Sequence, residues 1–272
     1  MDQPGALEHM KQALAIIDDC RQRMNSLPRG FGELGEPNTE LHNLIYSELP
    51  DPVVDLRLTV HASLTSSLEC LEQIKRFCQG VPTKPIVLAA LMRTNLLAAA
   101  RIVFMFGPLA PEQRKTNMLQ IMRQESDSVF RWYDEARSYE ELSDLVPSEQ
   151  VLTAQRARKA RIDEMTTRGG EAAMLKSAAA ITASLLVARP EMRDDMAVDE
   201  AEKVLREQLI WIFNVYSGKA HAYGWPRIVP HARDLPGDFS TDFFMLCSMT
   251  QLALRLTDQA HNGTFGGLAD TV

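Results

Sequence analysis

Residues 86–106 read IVLAALMRTNLLAAARIVFMF, and this stretch decides the fold. It is apolar around nearly its whole circumference, which is typical of a helix enclosed by other helices. Pro85 stands at its start and Gly107-Pro108 at its end, and such residues commonly begin and end helices. We therefore predict a buried central helix over residues 84–107.

The same stretch is long enough to cross a bilayer, but it carries Arg93, Asn95 and Arg101. A charged group near the centre of a bilayer costs roughly 2.5–3.5 kcal/mol on insertion scales. The other strongly apolar segment, residues 172–188, is short for a membrane span and contains Lys176. We interpret both segments as buried helices of a soluble protein.

Helical spacing of apolar residues continues on both sides of the central segment, and no segment alternates as a strand would. The pattern predicts an all-α fold, a bundle of eight or nine helices with at least 60% helix. The predicted helices are 5–26, 52–79, 84–107, 111–136, 139–145, 147–167, 171–188, 199–218 and 241–261, with a further short one at 39–46.

The composition is that of an ordinary globular protein, with 272 residues, of which 45% are hydrophobic and 24% charged. We predict a single domain over residues 1–272, with its core at roughly 52–260. A long loop is expected at 27–51 and a flexible tail at 262–272. The net charge of −7 disfavours a surface that binds nucleic acid through charge alone.

The first ten residues, MDQPGALEHM, lack the basic and apolar segments of a secretory signal, so we expect a cytoplasmic protein. Its four cysteines form no C-x-x-C pair and are expected to be reduced thiols. Motifs for zinc, calcium, phosphate and dinucleotides are missing from the chain. The sequence therefore predicts neither a metal site nor a cofactor.

The most basic run is QRARKARIDE, residues 155–164. At 100° per residue its four cationic side chains surround the helix, and they form no stripe that could follow an RNA backbone. Lys159 and Asp163 have the spacing of an ion pair within a helix. We interpret the run as a solvated helix, with an RNA interface as the alternative.

The polar residues of the central helix fall largely on one side. With Arg93 at 0°, Thr94 lies at about 100° and Arg101 at about 80° around the helix. A guanidinium in such a helix needs carboxylates, carbonyls or a wet cavity. Two interpretations stay open, a structural ion pair and the anion-binding side of a pocket.

A second stretch with chemical potential is VYSGKAHAYGWP, residues 215–226. If the helix passes Gly218, Ser217 and His221 share one side of it. A serine beside a histidine suggests a nucleophile, but no G-x-S-x-G turn supports a serine hydrolase. We expect this helix to end near Gly218 and to turn inward, so that His221 faces Arg93 and Thr94 instead of bulk water.

These considerations select the candidate site residues. The predicted catalytic pair is His221, as acid or base, and Arg93, as a stabiliser of negative charge. The predicted binding residues are Ser217, Tyr216, Trp225, Arg101, Thr94 and His61.

The segments AALMRTNLLAAARIVFMF and YSGKAHAYGW resemble a group of uncharacterised all-helical actinobacterial proteins, which are themselves similar to distant members of the HEPN superfamily. The resemblance covers residues 55–135 and 200–226, about half of the chain. It implies a helical bundle that is often dimeric, with a histidine in a cleft. Catalytic relatives cleave RNA with an arginine separated from a histidine by four to six residues.

This chain departs from the ribonuclease pattern. Asn214, Val215 and Tyr216 stand where an arginine would precede His221, and Leu97 stands where many similar proteins have a glutamate. The resemblance therefore favours a non-catalytic member that binds RNA or a protein partner, in phage defence or toxin–antitoxin biology, and a homodimer. Two alternatives stay open, a metal-independent ribonuclease that uses a histidine and a sensor of a small anionic ligand.

Overall fold

The computed structural model of the chain describes residues 3–27, 36, 39–188, 197–221 and 236–263. Helices make up 83% of these residues, and no strand occurs among them. The prediction of an all-α fold is confirmed. The helices are α1 (Gln3–Ser26), a short π-helical segment (His42–Tyr46), α2 (Leu56–Cys78), α3 (Pro85–Phe106), α4 (Pro111–Ala136), α5 (Glu140–Ser143), α6 (Glu149–Met165), α7 (Glu171–Val187), α8 (Val198–Ala220) and α9 (Pro236–Asn262).

Helix α3 lies at the centre of the bundle, where it packs against α2, α4, α7, α8 and α9. Leu96, Ala99 and Val103 are inaccessible, as the sequence predicts. Leu88 and Leu91 were also expected to be inaccessible, but they are only partly buried. The reason is that the N-terminal half of α3 is buried on one side only, at Ala89 and Met92, whereas its C-terminal half is largely enclosed.

Helix α3 also has the length and composition of a membrane span, and no other helix in the described ranges does. In the bundle, 44% of its most apolar window is buried against other helices.

The core begins earlier in the chain than residue 52. Helix α1 packs along α9 and buries Ala13, Ile17 and Cys20 in the same hydrophobic cluster that contains α3. Leu41 and Ile45, beside and within the π-helical segment, belong to it as well. The apolar stripe of α1 therefore serves the core and does not lie on a separate unit.

A buried ion pair connects residues 39–46 to the first turn of α4. The Arg114 guanidinium pairs with the Glu40 carboxylate, and both side chains are largely buried. Arg114 also donates to the carbonyl oxygens of Pro108, at 2.6 Å, and Leu109, at 2.8 Å. These bonds satisfy two backbone carbonyls of the loop that joins α3 to α4.

Gly107 ends α3 for a reason of packing. Its φ of −76° is open to any residue, so helix termination alone does not require glycine. A Cβ atom at this position would lie 2.4 Å from Cγ2 of Ile181 and 2.6 Å from the carbonyl oxygen of Val103. Glycine is needed because α7 comes this close to the end of α3.

A small polar cluster lies inside the core, where Ser67 of α2, Asn95 of α3 and Thr250 of α9 are all inaccessible. The Asn95 amide nitrogen donates to Ser67 Oγ at 2.8 Å and to Thr250 Oγ1 at 3.0 Å. It also donates to the backbone oxygen of Ser67 at 2.9 Å. The Asn95 side-chain oxygen has no hydrogen-bond partner among the described residues.

The C-terminal part of α4, the short α5 and α6 form a peripheral hairpin. Helix α6 packs against α4, where Lys159 bridges Asp127, at 2.8 Å, and Asp163, at 2.6 Å. Helix α5 buries none of its residues. Residues 131–151, which comprise the end of α4, the short α5 and the start of α6, are called the hairpin tip below.

Candidate functional site

The junction of α3, α7 and α8 brings together two of the predicted site residues, Arg93 and Ser217. Arg93 of α3 donates from Nε to Ser217 Oγ at 2.8 Å and pairs with Glu171 Oε2 at 3.1 Å. Its guanidinium carbon lies 5.6 Å from the centre of the Phe213 ring. Phe213 and Ser217 are one turn apart on α8, so the two residues face the same arginine.

The charge of Arg93 is compensated within this group. Glu171 is the first residue of α7, where the helix dipole favours an acidic side chain. Ser217 accepts a hydrogen bond from another nitrogen of the guanidinium, and the Phe213 ring covers one face of the guanidinium. The arrangement links three helices, and it leaves less free positive charge for a bound anion than an unpaired arginine would offer.

His221 lies elsewhere than the sequence predicts. Helix α8 continues through the buried Gly218 to Ala220, and the His221 backbone nitrogen donates to Ser217 O at 2.9 Å. His221 is exposed at this helix end, which contradicts the expectation that it faces α3 and not solvent. The extra helical residues carry it past the turn that contacts Arg93.

Of the other predicted site residues, those that the structure describes have different surroundings from Arg93. Thr94 and His61 are exposed, and Arg101 pairs with Glu125 of α4 at 2.9 Å. Tyr216 is buried and donates its hydroxyl to Asp242 of α9 at 3.0 Å. Trp225 lies outside the residues that the structure describes.

Two members of the junction were not predicted as site residues, namely Glu171 and Phe213. The sequence offers one signal for Glu171, which is an acidic residue opening a helix after Gly169-Gly170. A guanidinium on an apolar helix requires such a partner, but the spacing along the chain does not say which carboxylate supplies it.

Three of the four cations in the basic run of α6 pair with carboxylates. Arg156 pairs with Glu149 at 2.9 Å, and Arg158 pairs with Asp51. Burial lowers the pKa of Lys159, but hydrogen bonds to two aspartates and their charges outweigh it, so the pKa is raised overall. Little unpaired positive charge remains on this helix for an RNA backbone.

One cleft opens beside the start of α7, with a volume of about 240 Å³. Gly169 and Gly170 form one wall, with Gln120, Gln124 and Arg168 around it. Arg168 also pairs with Asp127 at 3.4 Å. Neither Arg93 nor His221 lines this cleft, so it is separate from the predicted anion-binding side of α3.

The four cysteines are free and unsuited to nucleophilic chemistry. Burial raises the pKa of the Cys20 thiol to about 12 and the pKa of Cys70 and Cys78 to about 11. The pKa of Cys247 is raised as well, and burial is the largest cause. Within the described ranges, no three metal-ligating side chains come together.

Comparison of the chain with protein-family models, with curated proteins and with solved structures finds no match.

Proposed function

We propose that this chain is a non-catalytic helical protein that binds a protein partner in the cytoplasm. The observation that carries the proposal is the environment of Arg93, whose guanidinium is held by Ser217, Glu171 and Phe213. An arginine that stabilises charge in a reaction needs donors aimed at the reacting group. Here two donor nitrogens already serve the contacts between helices.

The charge distribution supports a protein partner over RNA. The net charge is −7, and most cations of α6 are paired with carboxylates inside the molecule. Sequence-independent affinity for RNA depends on cations that neutralise phosphates. A protein partner makes no such demand.

Within this proposal the bundle is HEPN-like and serves in phage defence or toxin–antitoxin biology. Its support is the resemblance of the residues around Arg93 and Tyr216 to HEPN-like proteins, together with an all-helical bundle centred on α3.

The proposal is tested by incubating the purified chain with total RNA in parallel with a His221→Ala variant. We expect the RNA length distribution to stay unchanged with both proteins. We also expect no binding of a labelled RNA at physiological salt by fluorescence anisotropy. Cleavage by the original chain that the variant lacks would establish the ribonuclease alternative, and salt-dependent binding would establish an RNA partner.

A sensor of a small anionic ligand is the second candidate, and the cleft beside α7 favours it. Arg168 and the amide groups of Gln120 and Gln124 offer hydrogen-bond donors at its wall. Inorganic phosphate, citrate and AMP serve as probes in thermal unfolding. A rise in melting temperature that Gln124→Leu abolishes would support a sensor, and an unchanged melting temperature with all three probes would contradict it.

A further inference from the structure

The hairpin tip concentrates exposed apolar side chains. Five large hydrophobic residues between positions 131 and 151 are more than a third exposed, namely Trp132, Tyr139, Leu142, Leu145 and Val151. Leu145 is 62% exposed and Tyr139 is 53% exposed. Exposed apolar residues scattered singly need no explanation, but a concentration that includes Trp and Tyr is typical of protein interfaces.

Packing within the molecule does not account for these residues. Helix α5 buries no residue, and only Leu152 and Ile162 of α6 are buried. Backbone hydrogen bonds hold the tip in shape, from Leu142 N to Tyr139 O at 3.2 Å and from Leu145 N to Leu142 O at 3.0 Å. The apolar side chains therefore stand on an ordered segment that has little core beneath it.

Acidic residues, all of them exposed, lie among the apolar ones along the tip. The tip contains Asp134, Glu135, Glu140, Glu141, Asp144 and Glu149, against two arginines, Arg131 and Arg137. Arg137 is engaged by Glu149, so most of the remaining charge is negative. This surface would attract cations at long range and would repel RNA and a second copy of itself.

We propose that the hairpin tip is a docking surface for a basic amphipathic helix of a partner protein. Apolar residues at helical spacing on the partner would cover Trp132, Leu142 and Leu145, while flanking Lys or Arg side chains would meet Glu140 and Glu141. This inference rests on the proposed function, since it names the chemistry of the protein partner.

The probe is a labelled designed peptide of about 18 residues, with Leu at positions i, i+3, i+4 and i+7 and Lys elsewhere. Binding to the whole chain is measured by fluorescence anisotropy. We expect saturable binding that weakens about tenfold in Leu145→Ser and in the double variant Glu140→Lys/Glu141→Lys. A peptide with Glu in place of Lys, and one with Ser in place of Leu, should not bind.

Matched variants control for effects away from the tip. Leu109 is 67% exposed and lies in a turn, so Leu109→Ser repeats the change at Leu145 in another place. Glu200→Lys/Glu207→Lys makes the same double charge change at exposed positions of α8. Both variants should bind the Leu/Lys peptide as the original chain does. Equal weakening by these controls, or no binding of the peptide to the original chain, would overturn the proposal.

Other occupants give different results. A tip substitution that halves the mass of the chain in light scattering would identify a second copy as the occupant and overturn the proposal. RNA binding lost in the tip variants would overturn it too. If the peptide does not bind and the chain neither binds nor cleaves RNA, the docking surface is refuted but the proposed function is not. RNA cleavage that His221→Ala abolishes would refute the proposed function, whatever the peptide does.

Discussion

At the scale of single residues, Arg93 illustrates how a charged side chain is accommodated on an apolar helix. The sequence predicts that its guanidinium needs a carboxylate or a wet cavity. In the structure a carboxylate, a hydroxyl and an aromatic ring supply its surroundings, from two neighbouring helices. Its side chain is 26% exposed, so solvent screens the ion pair only in part.

We predict that Arg93 and Ser217 are coupled in stability. Arg93→Met keeps an unbranched side chain but removes both polar contacts and the guanidinium that lies over Phe213, so it should lower the free energy of unfolding by about 1–2 kcal/mol. Ser217→Ala should lower it by about 0.5–1.5 kcal/mol. Because the contact is shared, urea denaturation should give a loss in the double variant that is smaller than the sum. Additive losses would contradict the coupling, and Arg131→Met on the exposed hairpin is the control.

The candidate site could be predicted only in part. The spacing of Phe213 and Ser217 on one helix places both on one face, and the structure brings that face to Arg93. Distances along the chain do not reveal which carboxylate arrives from α7, since that depends on how the helices pack. His221 was misplaced because Gly218 is buried inside α8 and does not end it.

At the scale of helices, proline and glycine made most boundaries predictable. Pro85 and Pro111 stand at the first positions of α3 and α4, where the missing N–H costs nothing. Gly80 follows α2 with a φ of 91°, which favours glycine. Gly107 marks a boundary too, but its packing role against Ile181 could not be read from the sequence, because it depends on the path of α7.

Gly107→Ala should therefore destabilise the fold. The new methyl group would overlap Ile181 Cγ2, and relieving that contact should cost about 1–3 kcal/mol in thermal or chemical unfolding. Because Ile181→Ala removes the methyl group that the new Cβ would overlap, Gly107→Ala should cost less stability in an Ile181→Ala background than in the original chain. At Gly170 an added Cβ meets nothing within 4 Å, so Gly170→Ala should change stability by about 0.5 kcal/mol or less. Equal losses at the two glycines would refute the packing explanation.

The contact between α4 and α6 should make the free energy of unfolding fall as the pH becomes acidic. Burial raises the pKa of Asp127, but the hydrogen bond and charge of Lys159, with Arg168 and Arg123, outweigh burial and lower it overall. A carboxyl with a depressed folded pKa stabilises fully above its unfolded pKa, about 3.9, and this contribution is lost as pH falls through the folded value.

We expect Asp127→Asn to lower stability at neutral pH and to flatten the decline below about pH 4. The measurement is urea denaturation across acid pH, with Asp134→Asn at an exposed position as the control. A variant curve parallel to that of the original chain would show that Asp127 does not contribute to the acid dependence.

At the scale of the whole molecule, the homodimer stays a prediction that rests on the resemblance to HEPN-like proteins. Val81, Ile86 and Val87 are each about half exposed where α2 leads into α3, and this apolar corner is a surface on which two copies could meet. Light scattering at micromolar concentration should give twice the 30.5 kDa of one chain. Ile86→Ser/Val87→Ser should reduce that mass, and Leu58→Ser should not. A uniform 30.5 kDa species would contradict the dimer.

The polar cluster of Ser67, Asn95 and Thr250 restricts how the bundle can rearrange. A slide of α3 by one helical turn, about 5.4 Å, would separate Asn95 from both hydroxyls and leave its side-chain amide unpaired among apolar side chains, while Ser67 and Thr250 would keep their contact with each other. Helices α2, α3 and α9 thus have one favoured alignment.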